Sequence, residues 1–449
     1  MKNQIVTFIF FWLGQMAFFA LNFISSQELE IAQYGLYNII LAVIMFGMRF
    51  MEVGIGDYYV IEGEVRILNT IFKVNLIKGL IISIGLLLSS FFFDPFYGTS
   101  DLFGPIAISS IIFVLEPLKN PMVYELYKKR QMARIVLIEK GSYLLGLMAG
   151  IGLMIHFKSI WALVFAYILY FVIQTVVSYF FIPVHNLKGF DKKYAKNLIH
   201  FSKQILGFIL LTYFIRQGLD LVVPKLIGIE SFAVYAFTFL IGISPTNFLI
   251  YPLNKLIYPV YAAQKEMKES LSLVFNKIVQ ETGVLLTLFS LLIYFTAPVF
   301  LKKINHIELL EMELLQYILV YGVLRGVTAN LGVIYRNLAE QKTYNRILIL
   351  EAVVLFLLLP IIGHSPTGII FALGIALLVH LTTGLIYLKQ RVRIDYKGLG
   401  FSFLTCFLLL LIELALHNAI ENAYVLILLN IVLLGWVLLR FMRSMKKYF

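Results

Sequence analysis

The stretch Phe214-Ile215-Arg216-Gln217-Gly218-Leu219-Asp220 sits inside an apolar run that begins near Gln204 and ends at Val223. A run of about 20 such residues matches the hydrocarbon thickness of a bilayer and reads as a helix lying in lipid. Arginine and aspartate four residues apart share one face of that helix. A charged group at membrane depth costs on the order of 3 kcal/mol or more, and is tolerated where it faces protein or a water-filled cavity. Arg216 and Asp220 are therefore either a self-neutralising pair that locks two helices together or lining residues of a substrate path.

The same composition continues in both directions. The chain has 449 residues, 60% of them hydrophobic and 14% charged, with a mean hydropathy of +0.88. No soluble core could hide that much apolar surface, so the sequence describes an all-α polytopic membrane protein. Apolar runs fall near 5–24, 36–54, 72–93, 102–118, 135–156, 160–182, 204–223, 231–252, 283–303, 314–335, 346–363, 367–388, 399–416 and 423–442, about 14 transmembrane helices in all. The second drifts into Arg49, Glu52 and Asp57, and the eighth carries Pro245 and Pro252. Met1-Lys2-Asn3-Gln4 precedes an apolar run too long for a signal peptide, so the first span is expected to be retained.

Lys and Arg sort by side. With the N-terminus cytoplasmic, the inner connections hold most of the 37 basic residues, among them Lys128, Lys129, Arg130, Lys192, Lys193, Lys196, Lys203, Arg391 and Arg393. The outer connections hold Lys158, Lys225, Lys302 and Lys303 beside acids such as Glu28, Glu30, Asp94 and Asp101. This split predicts both termini inside the cell. It also accounts for the net charge of +12 without a nucleic-acid partner.

Four basic residues remain within spans. Arg216 lies about 18 Å into its run from the inner side and Arg325 about 16 Å from the outer side, both near the midplane. Lys78 and Lys140 are shallower, where a lysine can snorkel to the inner surface. The acids at depth are Glu139, Asp220, Glu351 and Glu413, with His380 in the twelfth span. Glu139 adjoins Lys140 and Asp220 faces Arg216, so neutralisation explains those two. Asp220 and Glu351 are the candidates for ion coupling, and His380 reads as a helix-packing residue.

Catalytic chemistry is not indicated. The sequence has no HExxH, GxSxG or Walker A motif, and its outer connections are too short for the domain that a membrane polymerase or ligase uses. The lone Cys406 excludes an intrachain disulfide and a Cys/His metal cluster. No metal or cofactor is expected. In the basic connection near 183–203, Tyr194, Leu198, Phe201 and Ile205 form an apolar stripe opposite Lys192, Lys193, Lys196 and Lys203, a pattern that fits an interfacial helix or a solvated linker.

A weak repeat organises the spans. Glu30 to Tyr37 after the first span corresponds to Glu230 to Tyr235 after the seventh, and six spans per half would give a parallel repeat. The expected domains are a six-helix bundle over 1–182, a basic cytoplasmic linker helix over 183–203, a second six-helix bundle over 204–390, and two further helices with a basic tail over 391–449.

The segments Asp220-Leu-Val-Val-Pro-Lys-Leu-Ile-Gly228, Phe232-Ala-Val-Tyr235 and Pro252-Leu-Asn-Lys-Leu-Ile-Tyr-Pro259, with Pro245, resemble the start of the second half in Wzx-type polysaccharide transporters, the oligosaccharide flippases. Gln33-Tyr-Gly-Leu-Tyr37 resembles the matching stretch of the first half. The resemblance implies the fold of the multidrug/oligosaccharidyl-lipid/polysaccharide exporter superfamily, with two pseudo-symmetric six-helix bundles plus two C-terminal helices. It implies a polyprenyl diphosphate carrying an oligosaccharide, moved from the inner to the outer leaflet of the bacterial cytoplasmic membrane, with other polysaccharide-assembly membrane proteins as further partners. A diphosphate needs a cationic shelter, since guanidinium groups pair with phosphate oxygens through charge-assisted hydrogen bonds. Arg216, Asp220 and Arg325 then line the cavity, with Lys78 and Lys140 nearer the inner mouth. Gln15 and Asn22, on one face of the first span, and Asn330 are candidates for the sugar hydroxyls or for helix packing. The rivals are a cation-coupled drug or metabolite antiporter of the same superfamily, a lipid II flippase and, from another class, a membrane glycan polymerase or ligase.

Overall fold

The structure is a computed structural model, and it describes residues 2–51, 54–129, 131–182, 189–264, 268–303, 309–396, 427–428 and 430–437. Every regular element among them is helical. A lipid-embedded segment must satisfy its own backbone N–H and C=O groups, and a helix does so without a partner. Eleven helices among the described residues are long and apolar enough to cross a membrane, and a shorter apolar stretch covers Phe103–Leu118. Each of the first twelve expected spans thus has a helical counterpart. The expected span at 399–416, most of that at 423–442, Cys406, Glu413 and the basic tail lie outside the described residues.

The chain forms two compact units, Met1–Ala233 and Val234–Phe449. The first contains the long helices α1 (Lys2–Glu28), α2 (Ile31–Met51), α3 (Leu68–Tyr97), α4 (Ser142–Phe157), α5 (Trp161–Phe181) and α6 (Lys192–Arg216). α3 stops at Gly98, whose left-handed backbone (φ 72°) lets its N–H reach Asp94 O at 2.8 Å. The Asp94 carboxylate accepts the N–H of Leu102 at 2.8 Å and so opens the next helix, Phe103–Ser109. That fourth span is not one helix. It breaks at Ser110, resumes over Ile112–Leu115 and ends in a 3-10 turn, Glu116–Leu118. The hydroxyls of Ser109 and Ser110 donate to carbonyls three residues back, at 2.7 and 2.6 Å, competing with the helical ladder.

Close packing runs through glycine. A Cβ on Gly47 of α2 would collide with the buried Phe113 ring, and one on Gly79 of α3 with the Phe113 carbonyl. The fifth span is also interrupted: a short helix, Met132–Val136, passes into a π turn, Leu137–Gly141, before α4 begins.

The basic stretch expected as a separate linker helix is continuous with the seventh span in α6. Asp191 caps it by accepting the Tyr194 N–H at 2.9 Å. Tyr194 and Leu198 are buried in one cluster with Tyr59, the half-buried Tyr58 packs against it, and Phe201 packs on Tyr58. The apolar stripe therefore faces protein, while Lys192, Lys193, Lys196 and Lys203 are exposed.

The second unit holds α7 (Ile229–Gly242, which begins in the first), α8 (Ser244–Gln264), α9 (Lys268–Lys303), α10 (Met312–Asn337), α11 (Gln341–Ile362) and α12 (Pro366–Leu388). The eighth span is split between α7 and α8. Pro245 brings no N–H and disfavours a helical Ser244, and the Ser244 hydroxyl turns back to Ile241 O at 2.7 Å. α9 has 36 residues, about 54 Å of helix, so it carries the ninth span and the connection before it. Its first turns hold the chain that follows α12: Asn276 donates to Arg393 O at 2.9 Å and accepts from the Asp395 N–H at 3.1 Å.

Candidate functional site

In the first unit, α6 ends at Arg216, and Gly218–Leu221 turns into a 3-10 segment before a short helix, Val223–Ile227. The run 204–223 is thus broken at Gln217, with its φ of −134°. Arg216 is the last residue of a 25-residue helix, about 36 Å from its start, rather than a residue in the middle of one. Asp220 sits in the 3-10 turn, off the helix on which the two were expected to share a face. The shared helical face is thereby overturned: the ladder of α6 ends at Arg216, within a run whose apolar composition reads as unbroken.

Asp220 instead belongs to a polar patch. Tyr34, Tyr97 and Tyr213 lie within electrostatic range of its carboxylate. Tyr213 donates to Ala42 O and Tyr97 to Leu221 O, at 2.8 and 2.6 Å. Arg49 donates to Gln217 Oε1 at 3.1 Å. In the sequence Arg49 is a charge into which the second span drifts; the structure ties it to the turn that carries Asp220. The Asp220 carboxyl group accepts no hydrogen bond from a described residue and lies beside these three phenols.

The two lysines have local explanations. Lys78 Nζ donates to Met51 O at 2.8 Å, at the carboxyl end of α2, where the last carbonyls lack helical partners and the dipole favours a cation. Lys140 lies 5.5 Å from the ring centroid of Tyr143. Its neighbour Glu139 accepts from Tyr127 at 2.8 Å, so the expected neutralisation of Glu139 by Lys140 does not occur. Successive residues leave a helix in different directions.

Two further charges were missed, one buried and one half-buried. Lys119 pairs with Glu116, both near the end of the broken fourth span. Tyr124 beside them accepts from Asn75 at 2.9 Å, and Glu139 is in electrostatic range of Lys119. Only the Lys/Glu spacing of three could have signalled this pair.

Of the sugar-contact candidates in α1, Gln15 is half-buried and Asn22 is buried, donating to Phe18 O at 2.8 Å. Asn22 therefore spends its amide N–H on its own helix.

In the second unit, Arg325 lies midway along α10, half-buried, with no hydrogen bond or ion pair to any described residue. That isolation separates it from Lys78 and Lys140. Asn330, on the same helix, is fully buried and shares weak bonds with Gly326 O and Val327 O at 3.4 and 3.3 Å, while its Oδ1 has no partner. Glu351 of α11 and His380 of α12 meet: His380 Nδ1 lies 2.6 Å from Glu351 Oε2, with both residues buried. The helix-packing reading of His380 and the ionic reading of Glu351 thus concern one pair. Among the described residues no group of three His, Cys, Asp or Glu side chains could hold a metal ion.

Comparison with known proteins decides the family. Residues 29–304 match the family model described as polysaccharide biosynthesis protein. The chain belongs to this family. No curated protein sequence matches it significantly. Among solved structures, the inward closed conformation of the lipid II flippase MurJ superposes with a TM-score of 0.75 at 13% identity, covering 100% of this chain and 98% of that one. An inward-facing multidrug resistance transporter of the MATE family, in the MOP superfamily, gives 0.58 at 12% identity over 84% and 94% of the two chains. The bent form of the Vibrio cholerae MATE transporter VcmN gives 0.54 at 13% over 90% and 98%. At such identities the likeness is one of fold: this polysaccharide biosynthesis protein is a multi-pass membrane protein with a MurJ/MATE-like fold.

Proposed function

We propose that the chain is a flippase that carries polyprenyl-diphosphate-linked oligosaccharide repeat units from the inner to the outer leaflet of the bacterial cytoplasmic membrane, by alternating access and without catalysis, with both termini cytoplasmic. The family match supports a role in polysaccharide assembly, and a fold shared with a lipid II flippase supports a lipid-linked cargo. The observation that carries the reading is Arg325. A guanidinium held midway along a membrane helix without an anion is costly, and it is retained where an anion arrives in the working cycle. A diphosphate is such an anion and takes two parallel N–H···O bonds from one guanidinium. Arg216, exposed at the end of α6, and Lys140 remain lining candidates, whereas Lys78 and Asn22 serve the protein's own backbone. The domain organisation proposed is 1–182, 183–203, 204–390 and 391–449.

The test is deletion of the gene, followed by extraction of polyprenyl-linked oligosaccharides. Accumulation of complete repeat units facing inward, with loss of surface polysaccharide, is expected; normal intermediates and normal glycan would overturn the reading. The antiporter reading is second, and Asp220 favours it, as a half-buried carboxyl that accepts no hydrogen bond from a described residue is the kind of group a cation-coupled exporter needs.

A further inference from the structure

The second unit contains one buried ionisable pair that sheltering a glycolipid does not use. Glu351 is 6% exposed and His380 2% exposed, and the helices that carry them, α11 and α12, pack along their length with α10 beside them. Nδ1 of His380 approaches Oε2 of Glu351 at 2.6 Å. The edge of the Tyr344 ring meets the imidazole at 5.5 Å, and Tyr335 of α10 donates to Gly384 O at 2.7 Å, one turn from His380. The other imidazole nitrogen, Nε2, is equally buried and has no hydrogen-bond partner.

We infer that Glu351 and His380 form a proton-binding site, and that loading and unloading it is coupled to the transport cycle; the coupling rests on the flippase reading, the site itself does not.

The chemistry follows from counting protons. With the carboxylate ionised and the imidazole neutral, the single ring proton sits on Nδ1 and is donated to Glu351, so the pair has a net charge of −1. Uptake of one proton at Nε2 gives imidazolium and carboxylate, net charge zero. A net charge within the hydrocarbon layer is expensive, and a hydrogen-bonded ion pair of zero net charge is less so. The state of the pair therefore decides how readily α10, α11 and α12 enclose it.

A proton suits the site better than an alkali or divalent cation. Such ions take six or so oxygen ligands, and here one carboxylate and one ring nitrogen converge, with no third His, Cys, Asp or Glu beside them among the described residues. The other charged groups on the packed helices are Glu313, Arg325 and Arg336 of α10 and Lys342 and Arg346 of α11. Among the described residues none forms an ion pair with Glu351 or His380, so no fixed cation replaces the proton.

The test uses the full chain in lipid nanodiscs with 15N-labelled histidine, read by NMR from about pH 5 to about 8.5, the range in which imidazole changes charge. One signal, assigned by its loss in His380→Gln, is expected to pass between Nε2-protonated and unprotonated forms, and Glu351→Gln is expected to change that passage. A His380 ring held in one form across the range, or a passage indifferent to Glu351→Gln, would overturn the site. In vesicles filled with pyranine, an outside acid pulse is expected to acidify the lumen several-fold faster with the wild-type chain than with either variant. Equal rates, with variants that purify as monodisperse protein, would overturn the coupling. Neither readout contains glycolipid, so failure here is distinct from failure of the flippase reading, which the deletion strain tests.

Discussion

Charged residues within the spans divide by what they touch. Lys78 caps the carbonyl of Met51, so Lys78→Met should lower the melting temperature of the purified protein, by an amount corresponding to about 1 to 3 kcal/mol for a buried acceptor left unpaired. Surface glycan in complemented cells should remain if the protein still reaches the membrane. Arg325 has no such partner, so Arg325→Ala should behave oppositely: normal abundance and melting, with surface glycan lost. Full complementation by Arg325→Ala would remove that residue from the substrate path. The sequence located both cations, because a charge in an apolar run is conspicuous. It could not tell them apart, since the partner of Lys78 is a backbone carbonyl 27 positions away, and carbonyls leave no trace in residue identity. His380 and Glu351 were likewise visible one at a time, and their meeting depends on the register of α11 against α12.

At the scale of elements, the periodicity of the spans was legible and their interruptions were not. Ser109, Ser110 and Pro117 break the fourth span, the π turn Leu137–Gly141 interrupts the fifth, and Gly218 ends the seventh early. Each is a local contest between backbone and side-chain hydrogen bonding that hydropathy averages away. Such contests set where polar groups point. Removing one residue from 137–141 should restore a plain helix and rotate Glu139 by about 100°, away from Tyr127. The deletion should therefore destabilise the first unit as much as or more than Tyr127→Phe, which loses only the hydrogen bond, and comparative thermal unfolding would check it. Outside the spans, Glu125 illustrates a second element-scale effect. Burial raises its carboxyl, but hydrogen bonds from Tyr59 (2.6 Å) and Lys129 outweigh burial and hold it below the ordinary carboxylate value of 4.5. A depressed value means stability that is present above pH 4.5 and lost as pH falls through the lower folded value. Unfolding of the wild-type chain should steepen there, and Glu125→Gln should flatten that limb.

For the whole molecule, composition and the alternation of basic residues decided most of what could be read, and the family match over 29–304 bears out the resemblance to polysaccharide transporters. The number of spans was less legible, as hydropathy counts apolar runs whether or not they fold into a single crossing. Orientation is the molecular property that the proposed function needs most. A flippase for cytoplasmically assembled glycolipid must present its loading side inward, and the lysine split predicts which side that is. In a Cys406→Ser background, single cysteines at Lys193, in the exposed first turn of α6, and at Lys158, in the left-handed turn after α4, should report opposite surfaces. A membrane-impermeant thiol reagent added to intact spheroplasts should label position 158 and leave position 193 untouched, while permeabilised membranes should label both. Among the described residues α5 alone crosses between the two positions by length and composition, so the result depends on a single crossing and not on the total number of spans. The reverse pattern would turn the chain over, place the exposed lysines of α6 outside, and make inward-to-outward flipping the wrong direction for this protein.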